Sequence, residues 1–379
     1  MYGFRKGLVL SGERRRNVLE SATVAILYQA LPPPSINGLR KEAKPGGYSD
    51  SGADIGFALR EVGQPVVTPV PLVDPAVALD WVFPDTADGI HAALTAGARV
   101  IWANTVLFDG HPLEGVLGTV AIVGQLPSAM QAFDDKFATN RILAEAGLPV
   151  ARSFLLSGPA REDAWALADI DRAFAELGLS YPAIIKPVRG RGSQGVTLAN
   201  DAPALRTAAT QLLEAATFGD MLMVEEYLDG EEMTVTVMPP ASPRPDGTRS
   251  AEHWALRPVR RFNQADGVAP YNGDVPVSAN SAALDEARLC DPRVVAMIDA
   301  CTAAAALVGA RAAIRIDCRA GPDGMFKLFD LNMKPNMTGP GRPGREEQDC
   351  LSALAARAEG WRYVDLLQSM LEAAWMQPR

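Results

Sequence analysis

The chain has 379 residues, 48% of them hydrophobic, 21% charged and 7% aromatic, which is enough apolar material for two or three domains with cores of their own. A disordered or disulfide-stapled chain is thereby excluded, and a net charge of -9, from 36 basic and 45 acidic residues, disfavours nucleic acid and anionic membrane as main partners. Any anion site has to be built locally.

In chain order, Gly7 to Leu10 reads as a buried strand, 17–31 as a helix, and 32–52 as a Pro/Gly-rich loop too long for a mere connection. Residues 53–62 then read as helical, 65–68 and 81–83 as extended, 86–96 as helical and 99–103 as a buried strand. This alternation predicts an open parallel α/β domain over 1–122. From 123 the texture changes. The segment 134–146 is an amphipathic helix closed by Gly147 and Pro149, followed by extended 152–156, a helix over 164–177, extended 183–187 and 196–198, a helix over 204–216 and an apolar strand over 221–226. The remainder mixes strands at 234–238, 313–318 and 326–331 with helices at 292–307 and 363–376. Three domains are expected, at 1–122, 123–224 and 225–379, the later ones of α+β character.

No stretch reaches the roughly 18 apolar residues of a membrane span, and the N-terminal MYGFRKGLVLSGERRR lacks a secretory pattern. Cys290, Cys301, Cys318 and Cys350 show no metal-ligand spacing and read as reduced thiols, so a cytoplasmic location is expected. His91, His111 and His253 are scattered and read as structural or solvated.

The most informative segment is AIIKPVRGRGSQGVTLA (183–199), where a strand delivers Lys186 into a loop with Gly190, Gly192 and Gly195. A dinucleotide-binding GxGxxG requires its third glycine to open a helix, whereas Val196 to Leu198 favour a strand. In kinases the key lysine follows the glycine loop; here it precedes it. Glycines let backbone N–H groups approach phosphate oxygens, and a lysine on the same hairpin neutralises their charge, so a nucleoside triphosphate fits. In MLMVEEYLDGEEMTV (221–235), which alone reads as an acidic hairpin, backbone groups from Glu225 through Glu226 and Tyr227 to Leu228 are candidates to meet an adenine edge, and Glu232 to accept from ribose hydroxyls. In AAIRIDCRAGPDGMFKLFDLNMKPNMTG (312–339), two strands around Pro-Asp-Gly bring Asp317 beside Asp330, with Asn332 on the face of Asp330 and Arg315 on that of Asp317. Oxygen ligands without His or Cys suit Mg²⁺ held together with nucleotide phosphates. A plain Arg315 salt bridge is the alternative for these acids.

With DK at Asp135 and Lys136 and AGLPV at 146–150, these segments resemble the ATP-grasp superfamily, and within it the D-alanine:D-alanine ligase-like carboxylate-amine ligases, over about 120–340. The resemblance implies an ATP-grasp fold behind an N-terminal parallel α/β domain, with ATP and Mg²⁺ as cofactors. It implies Lys136 and Lys186 on the α/β-phosphates, the glycine loop over the nucleotide, Glu225 to Leu228 on adenine, Glu232 on ribose, and Asp317, Asp330 and Asn332 on the metal. Arg315 would stabilise the transferring phosphoryl group, with Glu13 and Ser193 as further catalytic candidates. Arg257, Arg260 and Arg261 are candidates for clamping a substrate carboxylate, and Asn336, in the family-like PNMT, for substrate contact. The sequence departs from the family at Asp330, one methylene shorter than the usual Glu.

The implied reaction joins two amino acids or amino-acid-like molecules through an acyl phosphate, releasing ADP and phosphate. The substrate-side segment 256–278 does not look like the short loop of the cell-wall enzymes, which points to a specialised dipeptide product. The alternatives are an ATP-grasp kinase and a non-catalytic nucleotide-binding regulatory module. Expected partners are small amino acids, with a homodimer as an assembly open to the chain.

Overall fold

The computed structural model describes residues 22–36, 39–40, 44–158, 161–190, 194–263 and 277–378. The first strand, β1 (Val24–Tyr28), is VAILY, and nearly every side chain is buried because the strand lies inside its sheet. The expectation of a helix over 17–31 is corrected here: a short apolar run covered on both faces carries no alternation, so its period does not separate helix from strand. The expected strand at 7–10 lies outside the described residues.

After β1 come a small antiparallel ribbon, β2 (Ser35–Ile36) and β3 (Leu39–Arg40), then α1 (Ser49–Glu61), β4 (Val82–Pro84), α2 (Ala87–Thr95), β5 (Val100–Asn104) and β6 (Ala121–Val123). Thr86 caps α2 by accepting from the Gly89 amide. The sheet order is β4-β1-β5-β6 with all strands parallel, and ligands of such sheets sit outside the strands' carboxyl ends.

Next follow α3 (Pro127–Ala132), α4 (Lys136–Glu145), β7 (Ser153–Ser157), β8 (Trp165–Ala166), α5 (Ile170–Leu177), β9 (Ala183–Pro187), β10 (Thr197–Ala199), α6 (Ala202–Ala215) and β11 (Met221–Glu226). The helix expected from 164 starts at Ile170. Strands pair in the order β10-β9-β11-β7-β8, antiparallel except for β7 with β8. This second sheet packs α5 and α6 into a core of its own, centred on Phe154, Leu156, Phe174, Leu205 and Val224.

The third sheet holds β12 (Glu232–Met238), β13 (Trp254–Ala255), β14 (Val259–Arg261), β15 (Ser281–Ala283), β16 (Ile314–Ala320) and β17 (Phe326–Asn332), ordered β15-β14-β12-β16-β17 with β13 beside β12. Two short helices, α7 (Val277–Asn280) and α8 (Glu286–Leu289), precede α9 (Pro292–Leu307), whose cap Asp291 and first-turn proline set its start. α10 (Leu351–Ala358) and α11 (Tyr363–Glu372) close the chain, the last helix ending earlier than expected. Apolar side chains of the first and third sheets run together: Leu27 and Ile101 share a cluster with Val235 and Ile316, and Ile55 shares another with Leu366 and Leu367. Among the described residues no helix is long and apolar enough to cross a membrane. All four cysteines are free thiols; Cys290 is exposed and the other three are buried.

Candidate active site

The geometry is set by a β-bulge. β16 and β17 pair antiparallel with Asp317 opposite Asp330, but the next pair is Cys318 with Leu328, so Phe329 is an extra residue. Phe326, Leu328 and Leu331 are buried in the core, while Asp330 and Asn332 are only partly buried. Without the bulge, period two would put Asp330 on the same face as Leu328; the inserted Phe329 shifts the phase and sends Asp330 and Asn332 the other way.

The same bulge presents the Phe329 carbonyl to the second sheet, where Lys186 Nζ donates to it at 3.4 Å. Lys186 sits near the end of β9 opposite Met223 of β11, so Glu225, two residues along β11, is its diagonal neighbour on one face. Lys186 Nζ donates to Glu225 Oε1 at 2.6 Å, and both side chains are buried. Burial pushes the Glu225 carboxyl above its ordinary value, an effect that the Lys186 ammonium offsets only in part.

Lys136 enters from the start of α4, which Asp135 caps by accepting from the Ala138 amide. Its backbone N–H donates to the Val188 carbonyl at 3.1 Å, fastening α4 to the run out of β9. Its ammonium donates to Asp330 Oδ1 at 2.5 Å. Burial would raise the Asp330 carboxyl, but Lys136 and Lys186 outweigh it and hold the group below the usual carboxylate range. Burial would likewise lower the Lys136 ammonium, and Asp330 reverses the sign and raises it.

Asp317 is almost fully buried; Thr234 donates to its Oδ1 at 2.7 Å and Arg315 Nη2 to its Oδ2 at 3.2 Å. Asn332 Oδ1 accepts from the Lys334 amide at 2.9 Å. Among the described residues no three His, Cys, Asp or Glu side chains converge as a metal cage. Two carboxylates and one amide oxygen on adjacent strands do fit Mg²⁺, which takes few protein oxygens and completes its shell with phosphate and water. Lys136 and Arg315 meanwhile balance the negative charge of the two acids.

Other expected residues are placed as follows. Glu226 accepts from Arg152 Nη2 at 2.8 Å and Lys327 Nζ at 2.7 Å, and its amide donates to the Arg152 carbonyl at 2.9 Å; burial would raise its carboxyl, and these bonds hold it low. The Tyr227 ring carries the Arg319 guanidinium at 5.2 Å, and Leu228 is buried. Glu232 is buried and lies in register between Arg261 and Arg319 on the flanking strands. Gly195 has φ +71°, and a side chain there would press on Pro187 and Phe218 at 2.9 Å, so the hairpin requires glycine. Gly190 is described, while Gly192, Ser193 and Glu13 lie outside the described residues. The loop after the first described strand begins at Gln29.

Arg257, expected as a substrate clamp, is held by protein acceptors. Its guanidinium donates to Glu286 Oε1 at 2.5 Å and the Leu284 carbonyl at 3.2 Å, and lies 3.6 Å from Glu359, all outside the lysine and carboxylate cluster. Arg260 lies over Phe262 and within 3.9 Å of Glu231, and Asn336 accepts from the Thr338 hydroxyl at 3.1 Å. Sequence reasoning missed the clamp that fixes the segment after β17. Asp54 of α1 accepts from Arg342 Nε at 3.0 Å, from Arg345 Nε at 2.9 Å and from Arg345 Nη2 at 3.0 Å. It also missed Lys334, whose ammonium donates to Asn104 Oδ1 at 3.0 Å and lies 3.3 Å over the Tyr48 ring. The only sequence signal for these was an arginine-rich run following PNMT.

A family model described as the D-ala D-ala ligase C-terminus matches residues 142–372. A D-alanine–D-alanine ligase of Aromatoleum aromaticum is 30% identical over 246 residues, covering 63% of this chain and 66% of the relative; one from a Marinomonas species is 28% identical over 255 residues, covering 66% and 68%. The alignment thus spans about two thirds of these relatives' length. Among solved structures, the D-alanine–D-alanine ligase of Bacillus anthracis complexed with ATP superposes with a TM-score of 0.62 at 16% identity, over 93% of this chain and 97% of the other. The Coxiella burnetii D-alanine–D-alanine ligase gives 0.62 at 13% identity, over 93% and 95%.

Proposed function

This chain belongs to the D-alanine–D-alanine ligase family and carries the ATP-grasp fold, and from that premise we propose that it is an ATP- and Mg²⁺-dependent carboxylate-amine ligase joining two amino acids or amino-acid-like substrates. A carboxylate oxygen of one substrate attacks the γ-phosphorus, ADP leaves, and an acyl phosphate forms. The amine of the second substrate then attacks the acyl carbon, the C–O bond to phosphate breaks, and the nitrogen gives up a proton. A poor leaving group is thereby exchanged for a good one, and the protein's share is positioning and charge neutralisation.

Lys136 and Lys186 hold the α/β-phosphates in this reading, with their present partners Asp330 and Glu225 keeping both ammoniums aimed into the cleft before nucleotide arrives. Asp317, Asp330 and Asn332 are the residues that would hold Mg²⁺, which when bound draws negative charge off the phosphate oxygens. Arg315, fixed by Asp317, is set to meet charge developing on the transferring phosphoryl group. A specialised dipeptide is the product this reading favours.

The observation that carries the proposal is the meeting of the glycine-hairpin lysine with the acid-bearing strand: Lys186 Nζ touches the Phe329 carbonyl one residue before Asp330. The test is ADP release with Mg·ATP and pooled amino acids. Lys186→Met and Asp317→Asn abolish it while the far-ultraviolet circular dichroism stays that of the parent; full turnover in either variant overturns the assignment. Mass spectrometry of the product separates an amide from the phosphorylated amino acid a kinase would release.

A further inference from the structure

One cavity adjoins this cleft without being used by the nucleotide chemistry. It opens beyond the carboxyl ends of β1 and β5, where open parallel sheets receive ligands. It is lined by Pro33, Ile36, Val106, Phe108 and Met130, together with the charged Asp134 and Arg189. The volume is about 50 Å³; a single water needs roughly 10–15 Å³ on that measure, so the space suits a branched side chain of about four carbons.

Its polar atoms are mostly committed elsewhere. Gln131 is tied to Asp109, its Oε1 accepting from the Asp109 amide and its Nε2 donating to Oδ2 at 3.0 Å, and Met130 Sδ accepts from the Leu107 amide. Arg189 differs: its Nη2 lies 3.7 Å from Asp135 Oδ2, and its Nη1 is buried with no hydrogen-bond partner among the described residues. A buried guanidinium nitrogen of this kind calls for an acceptor oxygen. Arg189 follows directly on Val188, whose carbonyl holds the Lys136 amide, and Lys136 in turn reaches Asp330, so one lysine connects the cavity's Arg189 to the acid-bearing strand.

We infer that this cavity is the specificity pocket for one amino-acid substrate, taking an apolar side chain of valine to leucine size while Arg189 Nη1 receives an oxygen of the same molecule's carboxylate. The inference rests on the ligase reading for the identity of the ligand and deepens it by naming the side-chain class. An alanine methyl would leave the apolar walls largely uncovered, whereas a leucine side chain brings three further carbons out of water.

The test is titration calorimetry of the full chain with ADP and Mg²⁺ present, using leucine and alanine in both enantiomers, beside ADP release with the same amino acids. Leucine of one hand binds at least tenfold more tightly than alanine. Val106→Phe, which fills the cavity, weakens leucine tenfold or more and leaves alanine within twofold; Ile36→Trp serves if that variant does not fold. Arg189→Met weakens leucine but not leucinol, which lacks the carboxylate. Equal affinity for leucine and alanine, or equal losses for both in the filled variant, overturns the pocket even when amino-acid-dependent ADP release is seen. Leucine binding that the filled variant removes, without ADP release on any amino-acid pair, upholds the pocket and overturns the ligase reading instead.

Discussion

Asp54 is the residue on which the segment following the metal strands depends, and Asp54→Asn measures that dependence. Its carboxylate, with no exposed side-chain surface, accepts three charge-assisted bonds, from Arg342 Nε, Arg345 Nε and Arg345 Nη2, and lies 3.4 Å from the donating Gly339 amide. The amide replacement keeps the volume but turns an NH₂ toward guanidinium donors. Breaking a buried pair costs about 3–5 kcal/mol. Arg342, itself only 1% exposed, keeps Asp50 at 2.9 Å and the Pro75 carbonyl at 3.2 Å, while Arg345, 22% exposed, turns to water, so the loss falls at the lower end, about 3 kcal/mol. At about 2.1 cal/mol/K per residue over 379 residues, that lowers the melting temperature by about 4 °C. Differential scanning fluorimetry reads it, with Asp50→Asn as the control: that carboxylate is 63% exposed, and its loss shifts the melt by no more than about 2 °C. A melting point for Asp54→Asn within 1 °C of the parent, or a larger loss in the control, refutes the view that buried charge, not surface pairing, fastens this segment to α1.

Two further outcomes follow from the site. Asp330 has its folded pKa depressed and Lys136 has its raised, so the stability they share is complete between the unfolded values of about 3.9 and about 10.4. It falls as pH drops through the depressed carboxyl value and as pH climbs through the raised ammonium value; a double-mutant cycle of Lys136→Met and Asp330→Asn across pH 3–11 checks this, and a coupling that varies between pH 5 and 9 contradicts it. Arg315→Gln lowers kcat for ADP release by roughly a hundredfold and leaves the KM for ATP within threefold, read by steady-state kinetics; a loss confined to KM removes Arg315 from the phosphoryl-transfer step.

What the sequence made legible was the placement of residues that short, local patterns carry. Lys186 on a strand before a glycine loop, Asp330 and Asn332 two apart on one strand, and Asp317 across the turn from Asp330 are each fixed by a strand's period and a hairpin's register. Of the β17 phase, the sequence shows only that Asp330 and Asn332 share a face. The FKLFDLN stretch holds nothing that marks Phe329 as an inserted residue, because a bulge is a property of how two strands pair and not of either strand alone.

The failures have one physical source, which is long-range pairing that local propensity does not encode. VAILY became the interior strand β1 because β4 and β5 cover its two edges and its apolar side chains find cover on both faces. Arg257, in a basic run that invited a carboxylate clamp, is claimed by Glu286 and Glu359, and Arg342 by Asp54 some 288 positions away. A run of arginines therefore says little by itself. Arg244, Arg257 and Arg288 also carry a buried guanidinium nitrogen with no partner among the described residues, so what singles out Arg189 is that it lines the apolar cavity, where such a nitrogen is completed by what the protein binds.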